Sequence, residues 1–215
     1  MKTKSLLLAA VAASLGAVSA FGAVSSNVVG YTKLSLSKGF NLVANTLDNK
    51  AGNDVTALFA ALPADSTVYR WNGKGFNALD KVGDGVGAGD WGDKGYALAP
   101  GESVFVQASA AKDIVLVGEV LTGLQEVAIV KGNNFVASKI PQSGGLDTDL
   151  GFSTLAADST VFTWDAKKGS YVASDYLGGN AWGTDSGKSP VIGVGQGLVI
   201  QSPAAGKWSR TFLIL

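Results

Sequence analysis

Four aromatic residues placed among glycines are the side chains that most invite a ligand. Trp91, Trp182, Tyr96 and Tyr176 lie in or beside two Gly-rich stretches, Gly83–Gly95 and Gly178–Gly187. An indole or phenol held out on such a loop can stack on the flat apolar face of a sugar, with neighbouring Asp and Asn taking its hydroxyls. The same residues have a second use: one Trp buried against a sheet anchors a loop that glycine otherwise leaves too free. The anchor is the favoured reading, and the four residues form the candidate ligand-binding set.

The acidic residues support less. Asp80, Asp84, Asp90 and Asp93 crowd together, echoed by Asp175 and Asp185. Calcium needs several oxygen ligands on a flexible loop, but no Asp-x-Asp-x-Asp-Gly loop with its distal Glu is present. They read as solvated turn residues, and no metal is assigned. Glycoside hydrolysis requires two carboxylates across a cleft, and nothing marks a pair. Gly83-x-Gly85-x-Gly87-x-Gly89 lacks the helix and Lys-Ser/Thr of a phosphate loop, so no cofactor is assigned. The chain contains neither Cys nor His. That excludes disulfides, thiol nucleophiles, Ser-His-Asp catalysis and most zinc or copper sites. No catalytic residue is assigned.

The elements that must position these residues come in two copies. Lys38-Gly39-Phe40-Asn41-Leu42-Val43-Ala44 aligns with Lys131-Gly132-Asn133-Asn134-Phe135-Val136-Ala137 at an offset of 93. At the same offset Ala64-Asp65-Ser66-Thr67-Val68 recurs unchanged as Ala157-Asp158-Ser159-Thr160-Val161, and Trp71 recurs as Trp164. With small gaps Phe76 meets Tyr171, Trp91-Gly92 meets Trp182-Gly183, and Val104-Phe105-Val106-Gln107 meets Leu198-Val199-Ile200-Gln201. So many correspondences in one order mean a duplicated unit.

Each copy reads as strands separated by turns. Leu34–Leu36 and Phe40–Asn45 flank a Ser-Lys-Gly hairpin signal. Asn53 is placed to cap a short helix carrying Val55, Leu58, Phe59 and Leu62, stopped by Pro63. In the second copy only Phe152 and Leu155 remain, with Gly151 inside, so a turn or one 3₁₀ loop is expected there. Alternation puts Tyr69 and Trp71 on one strand face, and Phe162 and Trp164 likewise. Trp71, Trp164, Phe76 and Tyr171 therefore suit a shared core or inter-sheet packing. An Asx or Ser/Thr turn accounts for the repeated Ala-Asp-Ser-Thr-Val. Ile114–Val120 and Trp208–Leu215 close the two units. The first strand, Asn27–Leu36, and the last are both apolar; they either pair with each other or leave an edge for a neighbouring chain.

The succession of KGFNLVAN, STVYRWNGKGF and PGESVFVQ resembles uncharacterised secreted tandem β-repeat proteins of Verrucomicrobia-like bacteria. The resemblance covers nearly all of residues 27–215. It rests on turn and core motifs, and so implies a fold and no active site. Asn133 in place of the aromatic and Val194 in place of the proline are departures in the second copy.

Lys2 and Lys4, the apolar Leu6–Val18 and the small residues Val18-Ser19-Ala20 read as an export signal over residues 1–20. Cleavage before Phe21 is expected, with cleavage after Ala23 as the alternative. No second apolar run long enough for a membrane helix follows. The chain is 47% hydrophobic, 16% charged and rich in glycine, at 29 residues, which is unlike a disordered segment. Lys2 and Lys4 leave with the signal and no acid does, so 15 basic residues face 17 acidic ones with no basic block. Nucleic acid is therefore not an expected partner.

The expectation is an all-β protein with two similar sandwich- or barrel-like modules, residues 21–112 and 113–215, in pseudo-symmetric tandem. Each module alone would be marginal without disulfides, which favours shared burial. Functionally, the features suit an exported, non-enzymatic structural or adhesive protein of the cell surface or extracellular space, with the periplasm as the other destination. Its partners would be itself or other envelope proteins. The alternative is a carbohydrate-binding module that holds polysaccharide through its loop aromatics, and a secreted hydrolase comes third.

Overall fold

The computed structural model describes residues 28–152 and 155–214; the export signal and its cleavage site lie outside the described residues. The first module contains β1 (Val29–Leu36), β2 (Gly39–Ala44), α1 (Val55–Leu58), β3 (Ser66–Trp71), β4 (Phe76–Lys81), β5 (Ser103–Ala108) and β6 (Lys112–Glu119). The second contains β7 (Gly123–Ile129), β8 (Gly132–Val136), β9 (Gly144–Gly145), β10 (Ser159–Asp165), β11 (Ser170–Gly178), β12 (Ala181–Trp182), β13 (Val191–Ile192), β14 (Leu198–Ser202) and β15 (Gly206–Phe212).

The fold is all-β, and the modules share one topology. The first has an antiparallel sheet in the order β2-β5-β3-β4 and a separate pair β1-β6. The second repeats this as β8-β14-β10-β11, extended by β12, with the pair β7-β15 and a small β9-β13 ladder. Among the described residues no sheet closes into a barrel.

Each module buries its own core between the sheet and the strand pair. Leu34, Leu36, Ile114 and Leu116 of β1 and β6 meet Val68, Leu79, Val104 and Val106, with Val55, Leu58, Phe59 and Leu62 alongside. In the second module Val127, Ile129 and Trp208 meet Val161, Leu198 and Ile200 around Phe152. The strands β2, β5, β8 and β14 are apolar at consecutive positions, because their opposite faces are buried too. Leu42, Phe105 and Val199 form a third cluster between the modules, joined by Tyr69, Phe135, Phe162 and Trp164. Strands with both faces covered lose the polar-out alternation.

The junction is isologous in the manner of a two-fold dimer. Ala44 N–H donates to Gly195 O at 2.9 Å, and its counterpart Ala137 N–H donates to Gly101 O at 2.9 Å. Isolated bridges join Val43 to Gln196 and Glu102 to Val136, again equivalent pairs. Gly195 and Gly101 both have positive φ, 71° and 91°, and a Cβ on Gly195 would collide with Leu34 Cδ2. Only glycine brings the backbone this close.

Several local expectations change. The Ser-Lys-Gly turn is present, with Gly39 at φ 95° and Gly132 at φ 99°, but the strands it joins are not a hairpin: β1 pairs with β6 and β2 with β5. The terminal strands do not pair with each other either, since β15 pairs with β7. β6 carries Ile114 and Leu116 into the first core, so the division between modules falls after Glu119 and not at 112. The helix is one turn long, and Asp54 caps it by accepting from Thr56 N–H at 2.8 Å. Asn53, the residue expected at the cap, instead accepts from Asn45 Nδ2 and Asn49 N–H. In the second copy residues 146–150 form a turn.

The repeated pentapeptide is a folding device. Asp65 and Asp158 stand at φ 60° and 63°, a left-handed conformation that Asp tolerates better than most residues. Their N–H groups donate to Lys81 O and Tyr176 O, both at 2.8 Å. Ser66 and Ser159 are fully buried, while Thr67 and Thr160 donate across the strands to Asp80 and Asp175. Asn41 and Asn134 form a second matched pair. Asn41 accepts from Ser37 N–H and donates to Ser37 O, Gly39 O and Val106 O. Asn134 repeats this with Val130, Gly132 and Ile200. Asn41→Ala and Asn134→Ala are each expected to cost about 1–3 kcal/mol, because a buried turn loses its donors and acceptor together. Denaturant unfolding checks this; an unshifted midpoint at either position would contradict it.

Candidate functional site

The outer face of the first sheet carries, by strand alternation, Phe40 and Leu42 on β2, Tyr69 and Trp71 on β3, Phe76 on β4 and Phe105 on β5. The second sheet brings Phe135, Phe162, Trp164, Tyr171 and Val199 to meet them. The rings pack edge to face. Phe105 lies 5.2 Å from Trp164 and 6.0 Å from Phe135, centroid to centroid. Trp71 and Phe76 are cross-strand partners at 5.2 Å, and Trp164 and Tyr171 repeat the pair at 5.0 Å. The strand aromatics thus provide the inter-sheet packing expected of them.

The layer is not closed. Phe40, Tyr69, Phe76, Phe105, Trp164 and Tyr171 line an open cleft of about 390 Å³ at its edge. Phe40 is 42% exposed, and Phe76 and Tyr171 are each 44% exposed. Two polar atoms nearby are already engaged: the Tyr69 hydroxyl donates to Gln107 Oε1 at 2.9 Å, and Trp164 Nε1 donates to Phe40 O at 2.7 Å. The walls are therefore aromatic and offer few free hydrogen-bonding groups. The burial of Tyr171 raises its phenol above the ordinary value.

The duplication does not repeat this cleft with the same lining. Asn133 replaces the equivalent of Phe40, and Phe135, which replaces Leu42, packs on Trp71 at 5.5 Å and Phe76 at 5.2 Å. The opening on that side, about 520 Å³ and bordered by Trp71, Asn133 and Phe135, is less aromatic than the cleft beside Phe40.

The four loop-associated aromatics face inward, which corrects their assignment as the ligand platform. Trp91 and Trp182 are 6% and 4% exposed and belong to the two module cores. Tyr176 is fully buried on β11 between Phe152 and Trp182. The loops have few side chains of their own to bury, so the indoles hold them down. Trp182 Nε1 donates to Asp147 Oδ2 at 2.9 Å, whereas Trp91 Nε1 is buried without a partner. Burial pushes the Asp147 carboxyl up, but hydrogen bonds from Ser189, Trp182 and Thr148 outweigh it and hold it below the ordinary value.

Tyr96 is half-buried under Arg70, whose guanidinium lies 4.8 Å from the ring centre and forks onto Glu102 at 3.0 and 3.1 Å. Desolvation pushes its phenol up to about 12. A raised folded value means this contribution to stability is intact below the unfolded value near 10 and is lost as pH rises towards about 12. Ultraviolet titration should show a phenol that ionises well above the ordinary value and with unfolding. If Tyr96→Phe left the titration curve unchanged around pH 12, this reading would fail.

The acidic residues close turns. Asp84 accepts from Ala64 N–H at 2.8 Å and Asp90 from Gly87 N–H at 3.0 Å. Gly83 and Gly85 pass so close to the Asp90 carboxylate that a Cβ on either would overlap it. Lys81 is fully buried beneath this loop, and its Nζ donates to Gly83 O and Gly85 O at 2.5 and 2.6 Å. Among the described residues no three His, Cys, Asp or Glu side chains are grouped to hold a metal ion.

Inspection of single loops misses Phe40, Tyr69 and Phe105. The signal that could reveal them is the run of consecutive apolar residues in β2 and β5, which demands a partner for each sheet face. No protein-family model, curated protein or solved structure matches the chain.

Proposed function

We propose that this chain is an exported, non-enzymatic protein of the cell envelope or extracellular space that acts by contact, in a structural or adhesive role, and that the aromatic cleft is its contact surface. Export is supported by the positive, apolar and small-residue succession at the N-terminus. The observation that carries the contact role is the cleft itself: three rings more than 40% exposed, each packed on Phe105, on a patch whose walls are almost wholly aromatic. Contiguous exposed apolar surface marks interaction sites, and buried aromatic anchors dominate the energetics of protein contacts.

Phe76→Thr with Tyr171→Thr removes the exposed rings at the ends of two strands without entering either module core. Because both rings also pack in the inter-module layer, the double variant is expected to melt below the parent while remaining folded, and to leave the envelope or assembled fraction that retains the parent chain. Unchanged retention would overturn the assignment. Glycan stacking on the exposed faces of Phe76 and Tyr171 is the competing reading, and the engaged Tyr69 hydroxyl and Trp164 indole count against it. Polysaccharide retention abolished by the same double variant would favour it.

A further inference from the structure

We propose that the occupant of the cleft is a second copy of this chain, which inserts the outer face of its β1-β6 pair. This rests on the reading of the cleft as a contact surface. β1 and β6 turn Leu34, Leu36, Ile114 and Leu116 inward, and their outward face mixes the apolar Val29, Tyr31, Val115 and Val117 with Lys33, Ser35, Asp113 and Glu119. Val29 and Tyr31 are 69% and 77% exposed, and Val115 and Val117 are 55% and 54% exposed. Tyr31 and Val117 are direct cross-strand partners, so they form one continuous ridge. A solvated strand face ordinarily alternates to polar residues, and the second module is polar at three of the four equivalent positions, Thr122, Ser209 and Thr211, with Leu124 the exception.

Among the described residues the chain therefore carries an apolar ridge on the first module and an aromatic cleft at the junction. The cleft continues the aromatic layer that already joins two sheets of this chain, so a third apolar strand face meets the same kind of surface there. The ridge and the cleft are different surfaces, so each copy can offer its ridge to one neighbour and its cleft to another. Such heterologous contacts propagate unless the rotation closes a ring. Electrostatics oppose this only weakly, because 15 basic residues face 17 acidic ones once the signal has left, and near-neutral proteins associate readily.

Sedimentation of the mature chain over a range of concentrations tests it. The parent is expected to show a mass that rises with concentration past the dimer. The ridge variant Tyr31→Ser with Val117→Thr, and separately the cleft variant Phe76→Thr with Tyr171→Thr, are each expected to remain monomeric and to keep the far-ultraviolet circular dichroism of a folded β protein, the cleft variant melting lower because it thins the inter-module layer. Mixed, they are expected to give a one-to-one complex and nothing larger, since only one intact ridge and one intact cleft remain to meet. A parent that stays monomeric, a ridge variant that assembles like the parent, or a mixture that gives no complex would overturn the proposal. Should the parent be monomeric while the cleft variant alone loses envelope retention, the contact role of the cleft stands and its occupant is another molecule.

Discussion

Phe105→Ala is expected to destabilise the protein by about 3–5 kcal/mol and to separate the unfolding of the two modules. Phe105 is only 7% exposed and stands at the centre of the inter-module layer, with Phe40, Phe76, Phe135, Trp164 and Tyr171 all within 6.1 Å, centroid to centroid. Removing it opens a cavity between sheets whose own cores keep their packing. The lost free energy is therefore taken from the junction. Denaturant unfolding should turn from one transition into two, the first belonging to the module that relies more on its neighbour. Val199, at the equivalent position, offers a smaller side chain, so Val199→Ala should cost less. A Phe105→Ala variant that unfolds in one step, with less than about 1 kcal/mol lost, would contradict a shared layer.

Trp182→Ala is the second large effect, about 3–5 kcal/mol, and it separates anchor from platform. Trp182 packs on Phe152 at 5.8 Å and Tyr176 at 5.1 Å in the second core. As an anchor, its truncation lowers stability; as a platform, it would lower binding and leave stability nearly intact. The conservative Trp182→Phe keeps a ring and removes the bond to Asp147, at a cost of about 1 kcal/mol. It also lets the Asp147 carboxyl rise towards its ordinary value. Because that carboxyl is depressed in the folded state, its contribution is present above the unfolded value of 3.8 and is lost as pH falls through the lower folded one. The penalty of Trp182→Phe should therefore shrink in acid. Trp91→Phe should cost less at every pH, since Trp91 Nε1 has no partner to lose. Equal, pH-independent penalties for the two Phe variants would contradict this account.

The duplication and the strands were legible because turn residues and core positions recur at a fixed offset. The identical pentapeptide marks a left-handed Asp and a buried Ser that both modules require. Pairing was less legible. The Ser-Lys-Gly turn has the local chemistry of a hairpin, yet β1 and β2 enter different sheets, and only tertiary packing decides that. The site was misplaced for a related reason. A Trp amid glycines and a Phe amid valines give no local sign of which is buried. The deciding fact is that the two sheets bury Phe105 and Leu42 between them while leaving Phe40, Phe76 and Tyr171 at the open edge. That depends on how one module lies on the other, which no single strand encodes.

Amide hydrogen exchange at Ala44 and Ala137 tests the central claim most directly. These two N–H groups donate between modules, to Gly195 O and Gly101 O, at positions related by the duplication. Both should be protected to the level of Asn41 and Val106, which are partners within the sheet, and both should lose protection together in Phe105→Ala. Rapid exchange at Ala44 and Ala137 beside protected sheet amides would mean that the modules do not meet in this way, and that the cleft between them does not exist.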